Sequence, residues 1–510
     1  MTVHCRGVEV ESRGELLVRP FPVVAQPQDA QSGGAGDGFD LLFVRSDLPV
    51  GAFLSWRHHA AYKIAQLGYR TNRFAWLPIA WYSDQVESQP PFRWAFGRLV
   101  VSSGTSNLAD GIAKIALPLV AVGYTRSPAL VAGLEMVRTM PWLIGALPVG
   151  ALVDRLDRRV TMVVANIVRA ALVALVAGFI LAGHGSIWLL YVVALGSGVA
   201  EVFYDTAAQS FVPSIVGRAD LDRANGRLFA VELGAQEFIG PPVAGVLVAT
   251  SAAIAFGASA GLWAIAIIAL ISLRGRFRAE RARGSSTLRA EVREGLAFLM
   301  SRPLLRTMAL MVGMSNLASS AVFAVLVIYA VGPDSALGLT EPQFGLLFAT
   351  LSAGALVGGL IAERVQRAIG RANTLTLSVV GFSSYIIALA ATANILAIAA
   401  TAFVSGMTVM MWNVTTVSFR QRLTPDHLLG RLNSSYRLVA WGTRPLGAAI
   451  GGALGQTLGI RAVFIAMSLL AAAVLIPNRT ITESALTAAE ANPTTHDHPQ
   501  DEATPPTPNS

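Results

Sequence analysis

The chain has 510 residues, of which 53% are hydrophobic and only 14% are charged. Soluble domains carry about 25% charged residues, so this composition excludes an ordinary soluble protein and indicates a chain with many membrane segments. The formal net charge is +8, and the single cysteine, Cys5, excludes an internal disulfide and a cysteine metal site. We expect no metal ion and no cofactor.

Residues 1–93 form a first region without a membrane-length apolar stretch. They are rich in turn-forming residues, as in 31–38, and their longest apolar piece, near 74–81, is far shorter than the ~20 residues that span a bilayer. We expect a disordered N-terminal extension. A second interpretation stays open, in which residues 1–93 are a mis-assigned start of the protein.

Twelve long apolar segments follow the extension. They lie near 97–123, 128–150, 160–182, 187–209, 226–249, 252–273, 304–331, 343–362, 373–391, 393–416, 435–456 and 460–477. Each must be helical, because an open strand leaves its backbone groups unpaired in lipid. We therefore predict an all-α membrane protein with twelve transmembrane helices.

Two landmarks recur at almost the same offset along the chain. A Gly-acid-Arg-Arg pattern occurs twice, 209 residues apart, as Gly150, Asp154, Arg155 and Arg158 and again as Gly359, Glu363, Arg364 and Arg367. A Leu-x-Arg-x-Asn pattern at 221–225 returns at 429–433. Duplicated membrane units of this kind are typical of transporters that bind their substrate between two halves. We predict two pseudo-symmetric six-helix bundles, 94–273 and 304–478, with a linker at 274–303 and a disordered tail at 479–510.

Arginine placement predicts the orientation. The loops after segments 2, 4, 8 and 10 and the linker hold many arginines, whereas the opposite loops hold only Arg126 and Arg461. By the positive-inside rule both termini are cytoplasmic. Within the linker, residues 288–300 form an amphipathic pattern that predicts a helix along the membrane surface.

The motifs together resemble the major facilitator superfamily. They include the duplicated turn, the stretch Glu201 to Gln209, the stretch Phe238 to Gly245 and the stretch Ser418 to Asn433. These resemble the exporter branch that contains enterobactin exporters and macrolide or multidrug efflux proteins, over roughly residues 90–478. The resemblance implies the major facilitator fold and alternating access, with a small molecule as the substrate.

The resemblance also implies a gating role for the duplicated turns. Gly150, Asp154, Arg155 and Arg158 in the first turn and Glu363, Arg364 and Arg367 in the second would latch one state of the transporter. A carboxylate near a helix N-terminus gains about 0.3–1 kcal/mol, which is lost when the halves separate. The alternative is that these arginines only satisfy the positive-inside rule.

A glycine-proline cluster in the fifth segment resembles the antiporter signature of the superfamily. It consists of Gly240, Pro241, Pro242 and Gly245, with Ala244 where the signature has a glycine. Small residues and proline permit a bend and a close approach between helices. Simple tight packing is the competing interpretation.

Charged residues inside the first six segments are candidates for proton coupling, because charge at membrane depth is costly and typically functional. Asp110 lies about 20 Å along the first segment at 1.5 Å per residue, and Arg138 enters from the other side to a similar depth. The counts allow an Asp110–Arg138 pair, and Lys114, one turn away, competes for the same carboxylate. Glu237 is a second coupling candidate. For both carboxylates the alternative is a permanent buried ion pair that only fixes the packing of the helices.

The second half supplies a polar and aromatic lining that includes Asn316, Trp412 and Asn413. A mostly apolar cavity with few polar groups suits bulky amphipathic ligands. The acids of the first half favour lipophilic cations or neutral drugs, whereas Arg138, Arg169 and Arg444 also allow an anionic siderophore.

The sequence therefore predicts a secondary exporter of small lipophilic compounds, driven by proton antiport. A dedicated siderophore exporter and a non-transporting membrane sensor or scaffold remain alternatives. No metalloprotease, hydrolase or phosphate-loop motif occurs, so we expect no enzyme activity. We expect a monomer in the bacterial cytoplasmic membrane whose partners are its substrate, protons and lipid, without nucleic acid.

Overall fold

A computed structural model describes residues 4–10, 16–22, 92–153, 156–216, 220–273, 277 and 288–491. The chain divides into two units, residues 1–89 and 90–510. Within the first unit, the strands β1 (His4–Val10) and β2 (Leu16–Pro22) pair antiparallel, with Val8 opposite Val18. This hairpin lies in the segment for which we predicted disorder. The rest of that segment, residues 23–91, lies outside the described residues.

The second unit is helical. The helices of its first half are α1 (Phe92–Tyr124), α2 (Pro128–Val153), α3 (Arg158–Leu181), α4 (Ile187–Ile215), α5 (Leu221–Glu232), α6 (Gly240–Thr250) and α7 (Ala252–Ile271). A π-helical segment, Leu233–Ile239, joins α5 to α6.

The second half begins after a linker helix, α8 (Leu288–Ser301). Its helices are α9 (Pro303–Ala330), α10 (Glu341–Ile369), α11 (Arg371–Ala391), α12 (Ile395–Leu423), α13 (Asp426–Leu458), α14 (Ile460–Ala473) and α15 (Leu475–Asn478). A last helix, α16, spans Glu483–Ala491.

Every predicted apolar segment coincides with helix. Among the described residues, nine helices are long and apolar enough to cross a membrane by length and composition. The α2 helix, the α5–α6 region and α13 are not among the nine, so the count of twelve spans stays a prediction. The multi-pass helical membrane fold is confirmed.

The same helix pairs pack in each half, which is the structural counterpart of the sequence duplication. In the first half α2 packs on α4 and α3 on α7, and in the second half α10 packs on α12 and α11 on α14. Two corresponding contacts join the halves, α2 with α13 and α6 with α10. The architecture is therefore two pseudo-symmetric bundles that meet along two equivalent seams.

Two glycines allow the backbones of α10 and α12 to approach closely within the second half. A Cβ at Gly354 would meet the carbonyl oxygen of Phe403, and a Cβ at Gly406 would meet that of Leu351. Small residues let membrane helices gain dispersion contacts that lipid cannot replace. The α10–α12 pair is thus fixed by geometry as well as by apolarity.

The linker helix and the tail are both tied to the second half. Glu294 of α8 forms an ion pair with Arg431 of α13, and Gly295 lies against the Arg431 backbone. The prediction of a disordered tail from residue 479 is wrong for residues 483–491. They form α16, whose Leu486 is buried and whose two glutamates bind Arg371. Residues 492–510 lie outside the described part.

Candidate transport site between the two halves

Several contacts between the halves lie at one end of the bundle. We call the end where α2, α4, α10 and α12 finish the arginine-rich end, and the opposite end the arginine-poor end. At the arginine-poor end Ser127 donates a hydrogen bond to Gln456 at 2.7 Å, and Arg126 donates to the carbonyl of Val331 at 3.0 Å. Gly452 lies against Pro128 and Ala129. Polar and steric contacts therefore seal the α2–α13 seam at this end.

The glycine-proline cluster forms the second seam. Gly245 lies against the backbone of Glu341, and Gly345 lies against the carbonyl of Pro241, so no Cβ fits at either position without a shift. A Cβ at Gly240 would likewise lie too close to the backbone of Gly111. The π-helical segment just before this cluster shifts the register of the helix, as insertions of this kind do. Residues of the predicted antiporter-like bend thus lie at the contact between the halves, and the bend and its role in antiport stay predictions.

Asp110 is paired with Arg169. The Arg169 Nη1 donates to the Asp110 carboxylate at 2.9 Å, and the Arg169 side chain is completely buried. The rings of Tyr204 and Trp263 lie 5.1 and 5.9 Å from the guanidinium carbon. The sequence left Arg138 and Lys114 open as partners of Asp110, and the structure pairs Asp110 with neither of them. Counting residues along a helix gives depth, whereas rotation about the helix axis decides which side chain is reached.

Arg138 and Lys114 have acidic partners of their own. Arg138 binds Glu135 at 2.9 Å on its own helix and Glu201 at 3.1 Å on α4. Lys114 binds Glu237 at 2.8 Å, which links α1 to the π-helical segment. Arg138, Lys114 and Arg169 are thus each matched to a carboxylate on a different helix, so these ion pairs also hold the bundle together.

A central cavity of about 230 Å³ lies between the halves. Its charged lining is Lys114, Glu135, Arg138, Glu237 and Arg444, and its polar and aromatic lining includes Asn316, Ser319, Ser320, Phe323, Phe344 and Phe348. The structure therefore brings three of the predicted substrate-cavity and coupling residues to one surface, namely Arg138, Glu237 and Asn316. Asp110 and its partner Arg169 are not among the described residues that line this cavity.

A second cavity, of about 350 Å³, lies within the second half. We call it the arginine–tryptophan cavity, and its lining includes Trp412, Asn413, Arg420, Tyr436, Arg437 and Trp441. Asn316 and Ser319 line both cavities, and Asn316 donates to the carbonyl of Ala440 at 2.6 Å. The two cavities are therefore neighbours that share one wall.

Sequence reasoning missed the cationic members of this cavity. Arg437 lies inside the predicted segment 435–456, so a charge at membrane depth was the signal that could have found it. Arg420 was predicted to lie in the loop after the tenth segment, within the stretch Ser418 to Asn433 that carries the resemblance. In the structure Arg437 donates to Gln209 of the first half at 2.9 Å and lies over the rings of Trp142 and Trp441.

The predicted gating turns lie at the arginine-rich end. Asp154 and Arg155 lie outside the described residues, and Gly150 has open space beside it. The backbone N–H of Arg158 donates to Phe277 at 3.4 Å. Asp157 caps α3 by accepting a hydrogen bond from the backbone N–H of Val160, and its other carboxylate oxygen accepts from the backbone N–H of Phe277.

The second turn is open in this state. Glu363 and Arg367 lie 3.7 Å apart and are mostly exposed, and Arg364 is exposed. Within the described ranges no ion pair or hydrogen bond joins these three residues to the first half. A latching role for this turn stays a prediction.

Known transport proteins resemble this chain over most of its length. Residues 87–505 match the family model described as a transmembrane secretion effector of the major facilitator type. The multidrug efflux pump Tap of Mycolicibacterium fortuitum is 28% identical over 382 residues, which cover 72% of this chain and 90% of that protein. The enterobactin exporter EntS of Salmonella choleraesuis is 26% identical over 395 residues, which cover 75% and 89%.

Solved transporters share the fold. The nucleoside transporter NupG has a TM-score of 0.59 at 12% identity, covering 78% of this chain and 99% of that one. A bacterial homologue of the iron transporter ferroportin, in an inward-facing state, has a TM-score of 0.59 at 16% identity, covering 79% and 100%. At these identities the likeness shows the fold alone.

Proposed function

Because the chain belongs to the transmembrane secretion effector family of major facilitator transporters, we propose that it exports small lipophilic compounds by proton antiport. The observation that carries the proposal is the cavity pair between and beside the halves, sealed at the arginine-poor end. Its lining is largely apolar and aromatic with a few polar groups, which is the composition of small-molecule sites. The Tap and EntS proteins, which are similar over most of the chain, are both named as exporting proteins.

The proposed transport cycle is alternating access. By the positive-inside rule the arginine-rich end is cytoplasmic, so both termini are cytoplasmic and the seal faces outward. Export then requires the contacts Ser127–Gln456 and Gly245–Glu341 to part while contacts form at the other end. Each half moves as a unit, since its helices are joined by ion pairs and close packing.

Asp110 is the proposed proton carrier. Its partner Arg169 is fully buried, and two of its nitrogens, Nε and Nη2, have no hydrogen-bond partner within the described ranges. Protonation of Asp110 would cancel the ion pair and leave Arg169 stabilised by the faces of Tyr204 and Trp263. Burial favours the protonated form of this carboxyl group, and the nearby arginine favours the ionised form. A carboxyl group for which these two effects nearly cancel can load and release a proton, as a proton-coupled exchanger requires. Glu237 is the second proposed carrier, because its bond to Lys114 lies on the wall of the central cavity.

A dedicated exporter of anionic siderophores is the second candidate. The observation that favours it is the arginine content of the second-half cavity, where Arg420 and Arg437 line a pocket without a carboxylate among its described lining residues. We also propose that the protein is a monomer whose partners are its substrate, protons and lipid. We propose that it acts without enzyme activity, without a cofactor and without binding nucleic acid.

The test uses the intact chain and its Asp110→Asn variant in an efflux-deficient bacterial host and in proteoliposomes. We expect the intact chain to lower accumulation of dyes, macrolides or tetracyclines, and the variant to lose at least about tenfold of pH-gradient-driven transport. Substrate exchange without a gradient should survive in the variant, because exchange needs alternating access and no net proton movement. Asp334→Asn, in an exposed loop at the arginine-poor end, is the matched control and should transport normally.

Two outcomes would contradict the proposal. If Asp110→Asn retains gradient-driven transport, Asp110 is structural and the coupling assignment is wrong. If the intact chain reaches the membrane and moves none of the compounds, the sensor or scaffold alternative replaces export.

A further inference from the structure

The arginine–tryptophan cavity differs from the rest of the transport path in its charge. Its described lining residues include two arginines, Arg420 and Arg437, and no aspartate or glutamate. Aromatic rings make up much of the remaining wall, in particular Trp412, Tyr436 and Trp441. The combination is a cationic pocket with flat apolar surfaces.

These arginines lack carboxylate partners. Across the part of the chain that the structure describes, no carboxylate oxygen lies within 4.0 Å of Arg420, Arg437 or Arg444. Asp205 and Glu232 of the first half act on Arg437 only from beyond ion-pair distance. The cations of the first-half core, by contrast, each bind an acid. All three arginines are partly buried. A guanidinium group that is withdrawn from water without an anion is costly, so their presence favours a partner that the described chain does not supply.

Two polar atoms on the wall of the cavity are also unpartnered. The Arg420 Nε and the Trp412 Nε1 are buried, and neither has a hydrogen-bond acceptor among the described residues. Both are donors only, so both require an acceptor oxygen. Buried donors without an acceptor are rare in folded proteins and call for an explanation, of which a ligand is one.

Ring faces hold the two arginines in place without neutralising them. The guanidinium of Arg420 lies 4.1 Å from the centre of the Tyr436 ring. That of Arg437 lies 5.4 Å from the Trp142 ring and 5.1 Å from the Trp441 ring. Stacking uses the face of a guanidinium and leaves its N–H edge for a planar oxyanion, which arginine binds with two parallel hydrogen bonds.

We propose that the arginine–tryptophan cavity is a binding subsite for the anionic group of an aromatic acid, a compound that carries a carboxylate or similar oxyanion on a planar ring. The oxyanion binds Arg420 and Arg437 and accepts from Trp412, and the ring lies against Trp441 and Tyr436. The rest of the compound extends past Asn316 and Ser319 into the central cavity. This inference rests on the proposed export function and names its substrate class, in place of the lipophilic cations that the first-half acids favoured.

The test compares three probes with one ring system and different charge. The full chain is purified into nanodiscs of phosphatidylcholine, and binding of 1-naphthoate, 1-naphthalenemethanol and 1-naphthylmethylamine is measured by titration calorimetry. We expect the carboxylate to bind at least about tenfold more tightly than the amine, since a hydrogen-bonded arginine–oxyanion contact is worth that factor or more.

Variants locate the subsite. Arg420→Gln and Arg437→Gln should each weaken naphthoate binding about tenfold or more and leave binding of the neutral alcohol within about threefold. Arg420→Lys, which keeps the charge and loses the planar fork, should fall between. Arg461→Gln is the matched control, because Arg461 is an exposed arginine at the other end of the bundle that donates to Ala390. A variant that does not purify is replaced by the lysine form at the same position.

The outcomes separate this inference from the export proposal. Equal binding of the acid and the amine would overturn the subsite, and so would equal losses of naphthoate binding in Arg437→Gln and Arg461→Gln. In either case the export proposal stands if the chain still transports neutral compounds in proteoliposomes. Loss of naphthoate binding on replacing a fifth of the lipid by phosphatidylglycerol would assign the arginines to a lipid phosphate and also overturn it. If no compound is transported by the intact chain, the export proposal fails first.

Discussion

The two halves of the bundle share one packing plan and differ in how they treat charge. In the first half, Asp110, Glu135, Glu201 and Glu237 all bind arginine or lysine, three of them across helix boundaries. In the second half, Arg420, Arg437 and Arg444 line cavities and lie over aromatic rings instead of acids. The duplication kept the helices and the charged loop motifs, but it did not keep the charges inside the membrane segments. We infer that the first half senses protons and the second half selects the substrate.

The largest expected effect is on the unfolding free energy, when one arginine is removed from each half in turn. Arg169→Met leaves Asp110 as an unpaired carboxylate in the core, which costs about 3–5 kcal/mol of unfolding free energy. Arg437→Met leaves no carboxylate without a partner. It removes one hydrogen bond to Gln209 and two ring contacts, so the unfolding free energy should fall by only about 1 kcal/mol. Chemical unfolding in detergent micelles, followed by circular dichroism, compares the two.

A double variant supplies the control. In Asp110→Asn with Arg169→Met the carboxylate is gone as well, so most of the lost stability should return. Equal destabilisation by Arg169→Met and Arg437→Met would show that the halves do not differ in the way described.

The comparison also explains which features could be predicted. The helices follow from apolar runs of membrane length, and the two halves follow from the repeat at 209 residues, so the fold was accessible from the sequence. The partner of Asp110 was not, because Arg138, Lys114 and Arg169 lie at compatible depths and only the rotation of each helix selects one. The α16 helix was missed because its alanine- and threonine-rich composition resembles a disordered tail. Its signal was the pair Glu483 and Glu490, seven residues apart and hence on one helical face.

The seams between the halves give the next prediction. Gly245→Val places a branched side chain against the backbone of Glu341, where no Cβ fits, so the arginine-poor end cannot close. If the halves must meet here once in each cycle, export should fall by at least about tenfold while expression stays normal. The reason is that a strain of about 1.4 kcal/mol in one state lowers the population of that state tenfold.

Gly257→Val is the matched control for this seam. Gly257 lies in α7, and no described atom lies within 4 Å of the place that a Cβ would take there, so the same substitution should leave export unchanged. Comparable loss in both variants would mean that a general helix defect, and not the seam, limits transport.

The smallest effect concerns how each half caps its third helix at the arginine-rich end. In the first half Asp157 caps α3 with its own side chain. In the second half the corresponding position before α11 is Gly370, which has no side chain, and Glu483 of α16 accepts from the backbone N–H groups of Arg371 and Ala372 at 3.0 and 3.1 Å. In the first half the capping acceptor thus belongs to the residue just before the helix, whereas in the second half it comes from α16, more than 100 residues further along the chain.

Glu483→Ala should lower the unfolding free energy by about 1 kcal/mol, which is typical of a lost cap. The ion pair with Arg371 adds little to this loss, because the Glu483 side chain is half-exposed and solvent screens its charge. Burial works to raise the pKa of Glu483, but the hydrogen bonds from Arg371 and Ala372 outweigh it and hold the pKa below the ordinary value of 4.5. A depressed folded-state pKa means that the stabilisation is complete above that ordinary value and is lost as the pH falls below it. Thermal unfolding at about pH 7 and at about pH 3.5 measures both effects. The difference between the intact chain and Glu483→Ala should be present at the higher pH and smaller at the lower one. A difference that grows on acidification would show that the carboxylate of Glu483 is not the group that caps α11.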